Sequence, residues 1–168
     1  DGDPDLLITG TPTDFVNTPV MLYRNEAGIF VDAEIEFMDC AWYNNALWDD
    51  VDQDGDQDVL YVGDDGTDYF LVVYFNNEND FEFVNTGLEG VRTSNGNSSM
   101  VTGDIDNDGD NDVVMTGDDP NYIHTTKIYL NDGGTYSELT HNIPGYGSGS
   151  LDLSDIDNDG DLDILLVG

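Results

Sequence analysis

The sequence predicts an all-β fold made of repeated antiparallel sheets, and three observations carry that prediction. A ten-residue segment recurs four times without gaps: DGDPDLLITG from Asp1, DGDQDVLYVG from Asp54, DGDNDVVMTG from Asp108 and DGDLDILLVG from Asp159, with starts 53, 54 and 51 residues apart. Apolar and polar residues alternate over short runs separated by Gly and Asn, and no window sustains a 3.6-residue period. Four short strands in just over fifty residues match the length of a β-propeller blade. The chain therefore reads as one repeat domain, 1–168, of β-propeller blades with four antiparallel strands each. The approximate repeats are 1–53, 54–107, 108–158 and a partial one, 159–168. Closed propellers have at least four blades. The roughly three blades here are expected to be a partial propeller or fragment, continued beyond both ends or completed by association of copies.

The strands follow in a fixed order. One enters each Asp-rich loop, as in Ala46 to Asp50, Met100 to Asp104 and Leu151 to Asp155. The next leaves it, as in Val113 to Thr116 and Asp163 to Val167. The run Asp163-Ile164-Leu165-Leu166-Val167 is apolar at successive positions, which predicts burial on both faces. A third strand carries an apolar-Tyr-x-Asn step: Leu22 to Asn25, Val73 to Asn76 and Ile128 to Asn131. A fourth carries an alternating aromatic: Phe30, then Phe81 and Phe83, then Tyr136. Turns are expected at Asn76-Asn77-Glu78-Asn79 and Asn131-Asp132-Gly133-Gly134.

Composition narrows the function. Thirty-seven Asp and Glu stand against three basic residues, Arg24, Arg92 and Lys127, for a formal net charge of -34. Such a chain is repelled by phosphate backbones and anionic membrane surfaces, so neither nucleic acid nor membrane insertion is expected. Self-repulsion destabilises the compact state unless cations offset it. Adaptation to high salt also favours acidic surfaces, and the placement of the Asp residues separates the two. Cys40 is the single cysteine, so no internal disulfide and no Cys-based zinc site can form, and it reads as a small buried apolar residue.

Three complete loops share one pattern: Asp50 to Asp58 (DVDQDGDQD), Asp104 to Asp112 (DIDNDGDND) and Asp155 to Asp163 (DIDNDGDLD). Asp occupies loop positions 1, 3, 5, 7 and 9, and Gly occupies position 6. Calcium takes six to eight oxygen ligands. Carboxylates at positions 1, 3 and 5 (Asp50, Asp52, Asp54; Asp104, Asp106, Asp108; Asp155, Asp157, Asp159) converge as the loop winds. Gly55, Gly109 and Gly160 allow the sharp turn. Position 7 (Asp56, Asp110, Asp161) is expected to ligate through its backbone carbonyl, with the side chain outward. Position 9 (Asp58, Asp112, Asp163) closes the sphere. A partial loop with Asp1, Asp3 and Asp5 opens the chain. About three calcium sites follow, with a fourth partial one. An EF-hand is excluded, because its position-12 Glu is replaced by Tyr61, Met115 and Leu166. Solvated acidic turns are the plainer reading of one loop alone; three copies in register argue against it. Magnesium rarely uses an all-protein cage.

The DxDxDGDxD loop between two strands, followed by Tyr-x-Asn and an aromatic, resembles the FG-GAP / VCBS repeat family, the blades of integrin-α-like β-propellers and of many bacterial surface proteins. The resemblance covers essentially the whole chain. It implies a many-bladed propeller with calcium at the loop Asp positions, acting as an extracellular adhesion, recognition or scaffold module. No Phe-Gly or Gly-Ala-Pro element precedes the loops, which places the chain nearer the bacterial variants.

Three readings of function follow: a secreted or cell-surface module that binds a protein or glycan, a structural subunit that self-associates through incomplete propellers, or a non-catalytic appendage of a secreted hydrolase or lyase. No enzyme activity is expected. His124 and His141 have no recurring partner and read as surface residues, no carboxylate pair stands out, and Ser98, Ser99 and Ser154 lack a nucleophile-elbow context. The segment Cys40-Ala41-Trp42-Tyr43-Asn44-Asn45 interrupts the repeat where the equivalents, Ser94 to Asn97 and Gly145 to Gly149, are Gly-rich. It offers either blade packing or a contact surface for sugar or protein. Asn97-Ser98-Ser99 fits a glycosylation acceptor.

Overall fold

In the computed structural model, residues 2–9, 20–38, 45–64, 67–78, 80–92 and 99–168 are described. Asp1, Cys40 with its neighbours 41–44, and the segment 93–98 lie outside them. The fold is all-β, as predicted: β1 (Leu6–Ile8), β2 (Met21–Glu26), β3 (Ile29–Asp32), β4 (Ala46–Asp49), β5 (Asp58–Asp64), β6 (Tyr69–Asn77), β7 (Asp80–Glu89), β8 (Ser99–Gly103), β9 (Asp112–Asp118), β10 (His124–Asp132), β11 (Thr135–Glu138), β12 (Ser150–Ser154) and β13 (Asp163–Val167). The strands form four antiparallel meanders. Two have the expected four strands, β4-β5-β6-β7 and β8-β9-β10-β11, flanked by a three-stranded sheet, β1-β2-β3, and a two-stranded one, β12-β13.

Period-2 alternation assigns each residue to one interface between sheets. In β5 and β6, Val59, Tyr61, Val72 and Tyr74 pack toward the first sheet, with Val20, Leu7 and Phe37. The intervening Leu60, Val62, Leu71 and Val73 meet Met100, Val113, Met115 and Tyr129 of the third sheet. In β9, Val114 turns the other way and joins Ile128, Leu151, Ile164 and Leu166. All seven residues of β9 are buried, because it is a central strand covered on both faces. Full burial of each such apolar side chain contributes about 1.5–3 kcal/mol.

The run in β13 departs from expectation. Ile164 and Leu166 pack inward, but Leu165 and Val167 are each 60% exposed. β13 pairs only with β12, and among the described residues no further sheet covers its outer face. Two-sided burial needs a neighbour on both sides, and β5 and β9 have one while β13 does not.

Candidate metal-binding loops

Each Asp-rich loop joins the first strand of a sheet to the second, β4 to β5, β8 to β9 and β12 to β13. The register pairs Asp49 with Asp58, Gly103 with Asp112 and Ser154 with Asp163, so the residue just before position 1 lies directly opposite position 9. Within the loop the chain turns on two left-handed residues. Gly55, Gly109 and Gly160 have φ of 98°, 104° and 100°. Position 4, which the sequence did not single out, is left-handed too: Gln53, Asn107 and Asn158 have φ of 59°, 61° and 62°. Asn tolerates that region better than most residues, which accounts for its use twice.

The winding gathers carboxylates. Oxygens of Asp50, Asp52 and Asp58 lie within 4.8 Å of one another, as do those of Asp104, Asp106 and Asp108, and those of Asp155, Asp157 and Asp163. Positions 1 and 3 belong to every cluster, joined by position 9 in two loops and by position 5 in one. The position-1 carboxylate also braces the turn: Asp104 accepts from the amides of Asp108 and Gly109, and Asp155 from those of Asn158, Asp159 and Gly160. Asp54 and Asp159 at position 5 each accept from the amide two residues on.

Positions 7 and 9 act on the next hairpin. Asp5, Asp58 and Asp112 each accept the backbone N–H of the Asn in a Tyr-x-Asn step, Asn25, Asn76 and Asn131, at 2.8, 2.8 and 2.9 Å. Asp3, Asp56 and Asp110 accept the first N–H of the β-turn that follows, from Ala27, Glu78 and Gly133, at 3.1, 3.0 and 2.8 Å. The second oxygen of position 9 closes its own loop by accepting from position 2: Val51 to Asp58, Ile105 to Asp112 and Ile156 to Asp163. The recurrent Asn completes the lock, since the Oδ1 atoms of Asn25 and Asn131 accept the N–H of Gly28 and Gly134. The Tyr-x-Asn step is thus the partner of the loop, a pairing the linear pattern contained but did not explain.

Neighbouring loops are tied in series. Position 4 of one loop donates to position 7 of the next, Gln53 to Asp110 and Asn107 to Asp161, the latter at 2.8 Å. Gln53 Nε2 also reaches the Gly109 carbonyl at 2.8 Å. Two further amides cross from the third sheet to the first complete loop: Asn111 donates to Asp49, and Asn131 to the Val51 carbonyl. Asp49 is an acidic group beyond the loop pattern, buried where the other loops have Gly103 and Ser154.

The electrostatics favour a cation. Asp50 Oδ1 and Asp49 Oδ2 are buried with no hydrogen-bond partner, which is costly for an anionic oxygen. Asp58 is 1% exposed, and burial, together with the Asp52 and Asp54 charges, raises its carboxyl to about 6 against two lowering backbone hydrogen bonds. Desolvation and the Asp108 and Asp112 charges raise Asp106 as well. Burial and the surrounding Asp49 and Asp58 carboxylates push the Tyr136 phenol up, so it stays protonated beside the loops. All-oxygen donors and mutual repulsion make these three clusters able to hold a hard divalent ion, and at the first loop the orphaned buried Asp50 oxygen adds to the case.

Elsewhere, His124 is exposed at the start of β10, with Nδ1 2.6 Å from the buried Asp118 carboxylate. His141 accepts the Ile143 N–H. Ser99 opens β8 and accepts the Leu151 N–H. The Gly145 to Gly149 segment packs against the central strands β9 and β10 of the third sheet, where Thr116 accepts the Tyr146 N–H and Thr126 donates to the Pro144 carbonyl. No helix among the described residues is long and apolar enough to cross a membrane.

No curated protein matches the chain. The FG-GAP-like repeat model matches it twice, over residues 50–115 and 104–166, and each match begins at position 1 of a complete Asp loop and runs through the next. Two overlapping matches in register with the loops and their hairpins span well over half of the sequence, and on that ground the chain belongs to the FG-GAP-like repeat family.

Proposed function

We propose that this chain is a calcium-stabilised β-propeller module of a secreted or cell-surface protein, which recognises a protein or glycan and performs no catalysis. The observation that carries the calcium reading is the threefold cluster of carboxylate oxygens, one of which is buried without a partner. Positions 1, 3, 5 and 9 would hold the ion with the position-7 carbonyl, while the position-7 side chain holds the hairpin. The ion would supply charge neutralisation and tie the first two strands of each sheet together. Three filled sites leave a net charge of roughly -28, so the surface stays acidic when loaded. Extracellular modules work with weak calcium sites of exposed ligands, and Asp52, Asp54, Asp106 and Asp108 are exposed.

Sedimentation velocity in calcium and in excess chelator tests this reading. A compact species in calcium that expands in chelator is expected. A sedimentation coefficient unchanged by chelation would reduce the loops to acidic turns. The exposed apolar residues of β3 and β13, among them Ile29, Phe30, Leu165 and Val167, favour a second reading, in which these sheets are covered by further copies of the repeat. Concentration-dependent oligomers in the same experiment support it, and a strict monomer opposes it.

A further inference from the structure

Between the first and second sheets lies a cavity of about 290 Å³. Leu22 forms its apolar floor, and Arg24, Trp48, Gln57, Phe81 and Asp5 stand around it. One substitution within the repeat explains why it is open. Arg24 is the middle residue of its Tyr-x-Asn step, and in the second sheet that place belongs to Phe75. The Phe75 ring lies against the Gly134 turn of the third sheet and joins the core between those sheets. A guanidinium cannot fill the same space, because its desolvation is costly without a partner.

Among the described residues Arg24 has no partner. It forms no ion pair and no side-chain hydrogen bond among the described residues, in a chain with 37 acidic groups. Among the described residues the Gln57 carboxamide and the Trp48 indole N–H are likewise uncommitted. An apolar floor, two aromatic rings, three donors and the Asp5 carboxylate therefore converge on one space.

We propose that this cavity binds a single neutral hexose unit of a glycan. The Trp48 and Phe81 rings present apolar surface to a sugar C–H face, Arg24 and Gln57 donate to hydroxyls, and Asp5 accepts from one. The volume sits at the small end of ligand pockets, which suits one ring. Arg24 and Asp5 cancel locally, and the field of the whole acidic chain disfavours an anionic sugar. The assignment rests on the recognition reading above and narrows its glycan branch.

The test is saturation-transfer NMR on the calcium-loaded chain with methyl α-mannopyranoside, methyl β-galactopyranoside and methyl β-glucuronoside. Transfer from a neutral glycoside is expected, lost in Arg24→Phe and weakened about tenfold in Trp48→Leu. Arg24→Phe fills the cavity as Phe75 fills its counterpart, so its thermal midpoint should equal or exceed that of the parent. No transfer from either neutral glycoside, unchanged transfer in folded Arg24→Phe, or a response to the glucuronoside alone overturns the assignment. A chain that expands in chelator yet binds neither neutral glycoside loses this assignment and keeps the calcium reading.

Discussion

Asn131 and Asn76 occupy the same place in the repeat, so a sequence argument predicts equal loss when either becomes Ala. The structure predicts otherwise. Asn131 is 2% exposed, its Nδ2 donates across to the Val51 carbonyl at 2.9 Å, and its Oδ1 accepts the Gly134 N–H at 2.9 Å. Truncation removes both bonds, at about 1 kcal/mol each, and strands a carbonyl beside the buried Val51, for about 1 kcal/mol more. At Asn76 the side-chain amide instead donates to the Gln57 carbonyl of its own loop at 3.1 Å, at a half-buried rim where water replaces what the side chain gives up. Its loss should cost about 1 kcal/mol. For a chain of this size the difference reads as a midpoint lowered by about 6–12 °C in Asn131→Ala against about 2–4 °C in Asn76→Ala. Thermal unfolding of both variants in saturating calcium measures it. Equal shifts would refute the claim that the cross-sheet amide carries the larger share.

Other outcomes follow from the same geometry. Removing calcium should lower stability by about 2.7 kcal/mol for each site that was held at a hundredfold excess over its dissociation constant, read as a calcium-dependent urea midpoint. In the metal-free chain the pH dependence should have the opposite sign from the loaded one. Asp58 titrates near 6, above its unfolded value of about 3.9, so the folded state holds more protons in that window and metal-free stability rises as pH falls from about 7 to 4. With calcium, protons compete for the ligands and acid weakens the fold, and parallel pH series by circular dichroism distinguish the signs. Asn107→Asp replaces a donor to Asp161 with a like charge and should cost about 1 kcal/mol at this exposed contact, less in high salt. Gly145→Ala would drive a Cβ into the Thr125 backbone and should destabilise by about 2 kcal/mol or more, and a midpoint unchanged from the parent would contradict the packing of that segment.

The sequence by itself determined the fold class, the loop positions and the order of strands. Each is written in local periodicity: alternate residues face alternate sides of a strand, and five Asp about one Gly fit only a tight carboxylate-lined turn. That is why the second and third sheets appear where the Tyr-x-Asn and aromatic signals placed them. Tertiary structure decided everything that depends on which sheet lies next to which. Position 7 bears an Asp in every loop, and only the assembled sheet shows Asp56 and Asp110 holding a hairpin turn while Asp110 and Asp161 receive an amide from the preceding loop. β13 reads as a strand buried on both faces, yet Leu165 and Val167 face outward because burial belongs to a neighbour and not to the strand itself. Arg24 and Phe75 share one place in the repeat, and the difference between an open cavity and a packed core emerges only when two sheets meet. Hydrogen bonds and repulsion act over a few ångströms, and between repeats those distances are set by packing across some fifty residues of chain, which no local pattern encodes.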